Sequence, residues 1–297
     1  MLQFFLAILL LNPLNVYSED RNFFNIANEE DAVAPVRVNP ENVGVKVSAE
    51  RYLAIDLASG KMLLGKDVNY VQPLASITKL MTALVILDEK PKWQKHVEMT
   101  EADETVGALP HIYRGEEVKF YDLWKSALIS SDNNAIMAMI RSLGYTRAEF
   151  VEKMNAKAVA LGMHNTVFAD PTGLSEENVS TALDISRLVH AALGKNEIKE
   201  SVLQKKYSFP ILNNGKTRNI STTDILIDSF LNDSDYGYEL LGGKTGFINE
   251  AGYCLAVEIT NAGREVAIVV LNSSSLENRF QDVKVIADWV FANYQWE

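Results

Sequence analysis

Both ends of the chain read as strand and its middle reads as helix, and that order limits the folds open to it. Arg51-Tyr-Leu-Ala-Ile-Asp56 and Lys61-Met-Leu-Leu-Gly65 flank Ala58-Ser59-Gly60, the pattern of a β-hairpin. Near the other end, Gly252 to Thr260 and Glu265 to Asn272 are apolar runs joined by Asn261-Ala-Gly263, a second hairpin. Between them, helical spacing dominates. Ser76 to about Glu89 carries Ile77, Leu80, Met81, Leu84, Val85 and Leu87. Tyr121 to Ile129 and Asn134 to Leu143 predict two helices separated by Ser130-Ser131-Asp132-Asn133. Thr146 with Glu149 forms a capping box for a helix that stops at Gly162, and Thr181 with Asp184 repeats the device for one ending at Leu193. A closing amphipathic helix runs from about Leu276 to Tyr294. The expected fold is α+β: a mostly antiparallel sheet built from both ends and flanked by helices. A helical lobe, about residues 98 to 193, is inserted between its strands. A cleft between sheet and lobe is the natural binding site.

Phe4 to Leu11 is an unbroken run of eight apolar residues. As a helix it reaches about 12 Å, against a hydrocarbon core of about 30 Å, so it cannot span a bilayer. Val16-Tyr17-Ser18 follows as an A-x-A-like cleavage site, and residues 1 to 18 are read as a secretory signal peptide, although no Lys or Arg precedes the run. Export to a periplasm or to the extracellular wall surface follows from that leader. Residues 19 to 47 are acidic, hold Pro35 and Pro40 and show no clear periodicity, so they are expected to form a flexible linker. Residues 48 to 297 then make the catalytic domain. Cys254 is the only cysteine, so no intrachain disulfide is possible and the core must supply the stability; 47% apolar residues suffice for one. The net charge of −11 and the lack of any Lys/Arg run argue against a nucleic-acid partner and against a polybasic membrane patch. No stable membrane anchor is expected.

Three short motifs carry the chemistry: Ser76-Ile-Thr-Lys79 at the start of a helix, Ser131-Asp-Asn133 in an inter-helix loop, and Lys244-Thr-Gly246 at a strand. Each alone is weak; the three in this order and context are a strong signal. Ser and Lys three apart share a helical face, so the amine reaches the hydroxyl. A serine hydroxyl attacks well only when a neighbouring base takes its proton. A lysine is such a base only when neutral, and burial or a second cation such as Lys244 drives it that way. Ser76 is therefore expected as nucleophile, Lys79 as base and Ser131 as proton relay. Asn133 would bind the substrate backbone, and the N–H groups of Ser76 and Phe247 would form an oxyanion hole.

This motif set is known from penicillin-binding proteins and serine β-lactamases. More closely, the chain resembles the low-molecular-mass D-alanyl-D-alanine carboxypeptidase and endopeptidase family, peptidase family S11. The resemblance rests on Pro73-Leu-Ala-Ser-Ile-Thr-Lys-Leu-Met-Thr-Ala-Leu84, Asp170-Pro-Thr-Gly-Leu174, Asn178-Val-Ser-Thr-Ala182, Lys244-Thr-Gly-Phe247 and Ala251-Gly-Tyr-Cys-Leu255. It implies cleavage of peptidoglycan stem peptides through an acyl-enzyme on Ser76, covalent inhibition by β-lactams, and no cofactor. Lys244, Thr245, Gly246, Phe247 and Arg279 become substrate-binding candidates, Arg279 by its similarity to an arginine of the family. Two departures stand out. The second motif usually reads S-G-N in that family and here reads Ser131-Asp132-Asn133, and the chain ends at the closing helix, as in the small DD-endopeptidases that cut cross-links.

Cleavage of cross-links is accordingly an alternative to carboxypeptidase action. A non-catalytic penicillin- or muropeptide-binding module is another, but such a module has no chemical need for all of Ser76, Lys79, Ser131 and Lys244. A class A β-lactamase would require a glutamate in E-x-x-x-N, and no Glu here has Asn four positions later. The near match of Gly237 to Thr245 to a P-loop has one residue too many and runs into turn and strand instead of helix. The four histidines sit near no catalytic pattern, Cys254 alternates within an apolar strand, and H-E-x-x-H and C-x-x-C are absent.

Overall fold

The computed structural model describes residues 33–42, 44–106 and 110–297. The expected signal peptide, and the linker up to residue 32, lie outside the described residues. At the centre is a five-stranded antiparallel sheet of β1 (Arg51–Asp56), β2 (Met62–Lys66), β3 (Tyr238–Ile248), β4 (Gly252–Asn261) and β5 (Arg264–Ser273). Its spatial order is β3-β4-β5-β1-β2, so the two hairpins read from the sequence are joined by pairing of β5 with β1. Helices α1 (Thr78–Asp88), α2 (Phe120–Ile129), α3 (Asn133–Leu143), α4 (Arg147–Ala160), α5 (Ala182–Leu193), α6 (Asn196–Val202) and α7 (Asn278–Asn293) surround it.

Strand alternation sorts the sheet residues onto two buried faces. Leu53, Ile55, Cys254, Ala256, Ala267, Val269 and Leu271 belong to the core shared with α1 to α6. Ala54, Leu255, Val257, Ile259, Val266, Ile268 and Val270 belong to the core beneath α7, with Phe280, Val283, Ile286, Ala287 and Val290. Both faces are covered, which is why these strands read as near-continuous apolar runs. The closing helix is thus a sheet-packing element, its apolar stripe fully buried.

Three expectations are corrected. The described residues between 33 and 47 are tied to the domain and are not a free linker: Val36–Arg37 pairs antiparallel with Tyr294–Gln295, and Val45 and Val47 lie against the α7 core. The acidic, proline-bearing composition hid four valines, at 36, 38, 45 and 47, spaced to pair and pack. The lobe is not a continuous block from 98 to 193. Helix α5 lies on the sheet, against β1, β4 and β5, while an unforeseen hairpin, Lys206–Pro210 with Thr217–Ser221, packs on α2. Tyr207 of that hairpin donates to Asp122 (2.7 Å). Finally, the capping box is reciprocal at Thr146 and Glu149 but half made at Thr181. There the Asp184 carboxylate turns away to accept from Asn165 N (2.7 Å), Thr166 Oγ1 (3.0 Å) and Arg187 (2.7 Å).

Candidate active site

Ser76 is the middle residue of a one-turn 3₁₀ segment, Ala75–Ile77, that leads into α1. Ala75 holds φ = +50°, a left-handed conformation costly for a residue with a side chain. Neighbouring backbone clamps it there. Gly173 has φ = +89°, and a Cβ on it would stand 2.1 Å from the Ala75 carbonyl oxygen. On the other side, a Cβ on Gly246 of β3 would meet Leu74 O at 2.9 Å and Ser76 N at 3.3 Å. The turn carrying Ser76 therefore sits between the 170–175 loop and the edge strand of the sheet, and neither flank has room for a methyl group.

Lys79, in the first turn of α1, is fully buried beneath Ser76. Its Nζ donates to Ser76 Oγ (3.0 Å), Asn133 Oδ1 (2.5 Å) and the Thr172 carbonyl (2.7 Å). Burial pushes its ammonium down to about 7, against the opposing pull of Asp170 and Asp132. Burial, one of the two causes expected from the sequence, leads this shift. Lys244 is likewise pushed well below the ordinary lysine range, first by burial and then by Lys79 and Arg279, with Asp224 opposing.

Ser131, at φ = +64°, closes the triangle: Lys244 Nζ donates to its hydroxyl at 3.1 Å and to the Thr245 carbonyl at 3.1 Å. Lys244 is thus tucked behind Ser131 with 2% of its surface exposed, and it does not reach into the open cleft. The Asp132 carboxylate, where the family usually has glycine, caps α3 through Ala135 N (3.2 Å). It also accepts from Ser126 Oγ (3.1 Å) and His111 N (2.9 Å), so it positions Asn133.

The cleft of about 220 Å³ is lined by Ser76, Ser131, Asn133, Thr245, Phe247 and Arg279, joined by Gly173, Thr223 and Gly246. Arg279 is buried and forms no ion pair among the described residues. It is 6% exposed, donates to the Gly246 carbonyl (3.2 Å), and its Nε has no hydrogen-bond partner among the described residues. Phe247 stacks on Tyr253 at 4.4 Å and leaves about half its ring in solvent. Of the nine predicted site residues seven line this cleft, while Lys79 and Lys244 lie buried behind it against Ser76 and Ser131. A serine hydroxyl beside a buried amine, a second hydroxyl and a buried arginine at one cleft are groups that acyl transfer at a peptide bearing a carboxylate can use.

A family model described as D-alanyl-D-alanine carboxypeptidase matches residues 36–275. The chain belongs to that family. It is a serine-type D-Ala-D-Ala carboxypeptidase by membership, and its relatives span both named activities. A D-alanyl-D-alanine endopeptidase of Pseudomonas aeruginosa is 34% identical over 240 residues, 80% of this chain and 76% of that protein. The D-alanyl-D-alanine carboxypeptidase DacF of Bacillus subtilis is 32% identical over 83% of this chain and 63% of its own. Among solved structures, the Streptomyces K15 DD-transpeptidase superposes with a TM-score of 0.76 at 27% identity, covering 84% of this chain and 99% of that one.

Sequence reasoning passed over several residues of this family member's site. Thr223 Oγ1 lies 2.7 Å from Thr245 Oγ1, and buried Asp224 follows it. Burial pushes the Asp224 carboxyl up, against its Leu226 N–H bond and the nearby Arg279 and Lys244. No motif marks this pair; only folding brings 223 beside 245. Asp170 and Thr172 did stand in a matching stretch, without a role. No histidine lines the cleft: His96 sits beside Glu117, His190 beside Glu258, and His111 meets Asp132 through its backbone N–H. Cys254 is buried in β4, its thiol pushed up to about 11 by burial.

Proposed function

We propose that the protein cleaves the D-alanyl-D-X bond of peptidoglycan stem peptides through an acyl-enzyme on Ser76, outside the cytoplasm. The observation that carries this reading is the 3.0 Å contact between Ser76 Oγ and a buried Lys79 whose ammonium is pushed down to about 7. Neutral Lys79 takes the Ser76 proton as Oγ attacks the penultimate D-alanine carbonyl, and the oxyanion sits at the N–H groups of Ser76 and Phe247. The C–N bond breaks as the leaving amine receives a proton from Lys79 through Ser131, whose hydroxyl Lys244 orients. Water then attacks the ester, the acid leaves, and Ser76 regains its proton. Asn133 holds the peptide backbone, while Arg279, Thr245 and Thr223 receive the terminal carboxylate. That carboxylate stabilises charge on Lys244 nearby, so substrate binding and protonation are linked.

Cutting of cross-links is a second reading, favoured by the endopeptidase relative from Pseudomonas aeruginosa and by the open cleft. The test is digestion of purified muropeptides with the products identified by mass. Loss of one D-alanine from pentapeptide stems supports carboxypeptidase action; conversion of dimers to monomers supports cross-link cleavage. No product of either kind, or unchanged products with Ser76→Ala, overturns the proposal.

A further inference from the structure

The stretch Asp170-Pro-Thr-Gly-Leu174 has a rigid design that the catalytic steps above leave unexplained. Asp170 is fully buried and does not itself line the cleft. Its Oδ1 accepts from Thr172 N (2.5 Å), Thr172 Oγ1 (2.6 Å) and Gly173 N (3.0 Å), and its Oδ2 from Ser175 N (2.6 Å). Asn178 braces the loop from behind. Its Oδ1 accepts from Ala169 N (2.7 Å) and Asp170 N (2.9 Å), and its Nδ2 donates to Asp170 O (2.8 Å) and Thr78 Oγ1 (3.0 Å). Folded around one carboxylate, the loop aims the Thr172 carbonyl at Lys79 Nζ and presses Gly173 against Ala75. Four donors on one buried carboxylate far exceed what a surface turn requires.

We propose that Asp170 is a positioning residue for the general base: it builds the loop that holds Lys79 toward Ser76, and its charge acts on Lys79 across that loop. The proposal rests on the reading of Ser76 and Lys79 above. The charged groups facing Lys79 are Lys244 from β3, Asp132 from the start of α3 and Asp170 from the loop. Lys244 is in turn faced by Arg279 and Asp224. Asp170 leads the two carboxylates that oppose the effect of burial on Lys79. Removing its charge favours the neutral amine, so the base becomes competent at lower pH while its placement loosens. A purely structural residue would slow the reaction without moving that limb.

The experiment measures acylation of the full chain by a fluorescent penicillin, at saturating and sub-saturating concentrations, from about pH 5 to about pH 10. For Asp170→Asn the acid limb of the saturating rate should move down by about one pH unit. The rate itself should fall about tenfold, with pre-covalent affinity little changed. An unmoved limb overturns the proposal. Should Asp170→Asn fail to fold, Asp170→Glu decides: it keeps the charge, so the limb should stay in place while the rate falls. A Glu variant whose limb moves, or whose rate matches wild type, overturns the proposal equally. Wild-type protein that takes no label, or Ser76→Ala protein that does, would bring down the Ser76 reading first and this proposal with it, before any Asp170 variant is compared.

Discussion

An exposed lysine is nearly all ammonium at neutral pH and could not act as a base; for Lys79, burial among α1, the 170–175 loop and Asn133 favours the neutral amine that the proposed base role requires. Its ammonium titrates at about 7, and only the amine accepts the Ser76 proton, so acylation should rise with pH through about 7 and level off above it. Stopped-flow labelling with penicillin reads that limb directly. A rate flat between about pH 5 and about pH 9 would remove Lys79 from the role of base. Arg279 offers a second prediction at this scale. With its Nε unpartnered at the cleft wall, Arg279→Ala should raise KM about tenfold for peptides ending in a free carboxylate. Amidated analogues should be nearly unaffected, and equal losses on both would show that Arg279 only supports the wall through Gly246. The three motifs were legible in the sequence because each is a short local pattern. Thr223 and Asp224 were not, because the Thr223 contact to Thr245 and the charge interaction of Asp224 with Lys244 and Arg279 cross the fold.

At the scale of elements, the site depends on backbone fitting closely against backbone. The Ala75–Ile77 turn, the 170–175 loop and β3 meet with no room for a side chain between them. Gly173→Ala should therefore destabilise the protein by about 2 kcal/mol or more, since it forces both a left-handed alanine and a methyl group against the Ala75 carbonyl. Urea unfolding measures the loss. Folded variant protein should also acylate slowly, because the Ser76 turn cannot keep its place; an undisturbed variant would refute the clamp. Helix and strand types were readable from periodicity, as were the two sheet hairpins. The hairpin over 206 to 221 was not, since its exposed, polar strands bury only alternate residues such as Phe209 and Ile220.

Over the whole molecule, the N-terminal approach and the closing helix form one unit. The Asp282 carboxylate on α7 accepts from Ser48 N (2.7 Å), Ser48 Oγ (2.7 Å) and Ala49 N (2.9 Å), just before β1 begins. Asp282→Ala would leave two backbone donors bare in a buried setting and should cost about 2–4 kcal/mol. Thermal unfolding should show the drop while the acid limb of acylation stays in place, because Asp282 is remote from Lys79 in the hydrogen-bond network. A variant as stable as wild type would mean that this junction does not hold the approach segment. The sequence alone determined the α+β plan and the family and supplied the proposed reactive trio, since these rest on local periodicity and on residue types that chemistry requires at short spacings. Only the tertiary structure decided that Val36–Arg37 pairs with the chain's end and that Val45 and Val47 pack, that Lys244 stands behind Ser131, and that Arg279 is buried. It alone revealed the Asp170 loop beneath Lys79. Those facts depend on burial and on contacts between residues far apart in the chain, quantities that arise only when the sheet and lobe close on one another.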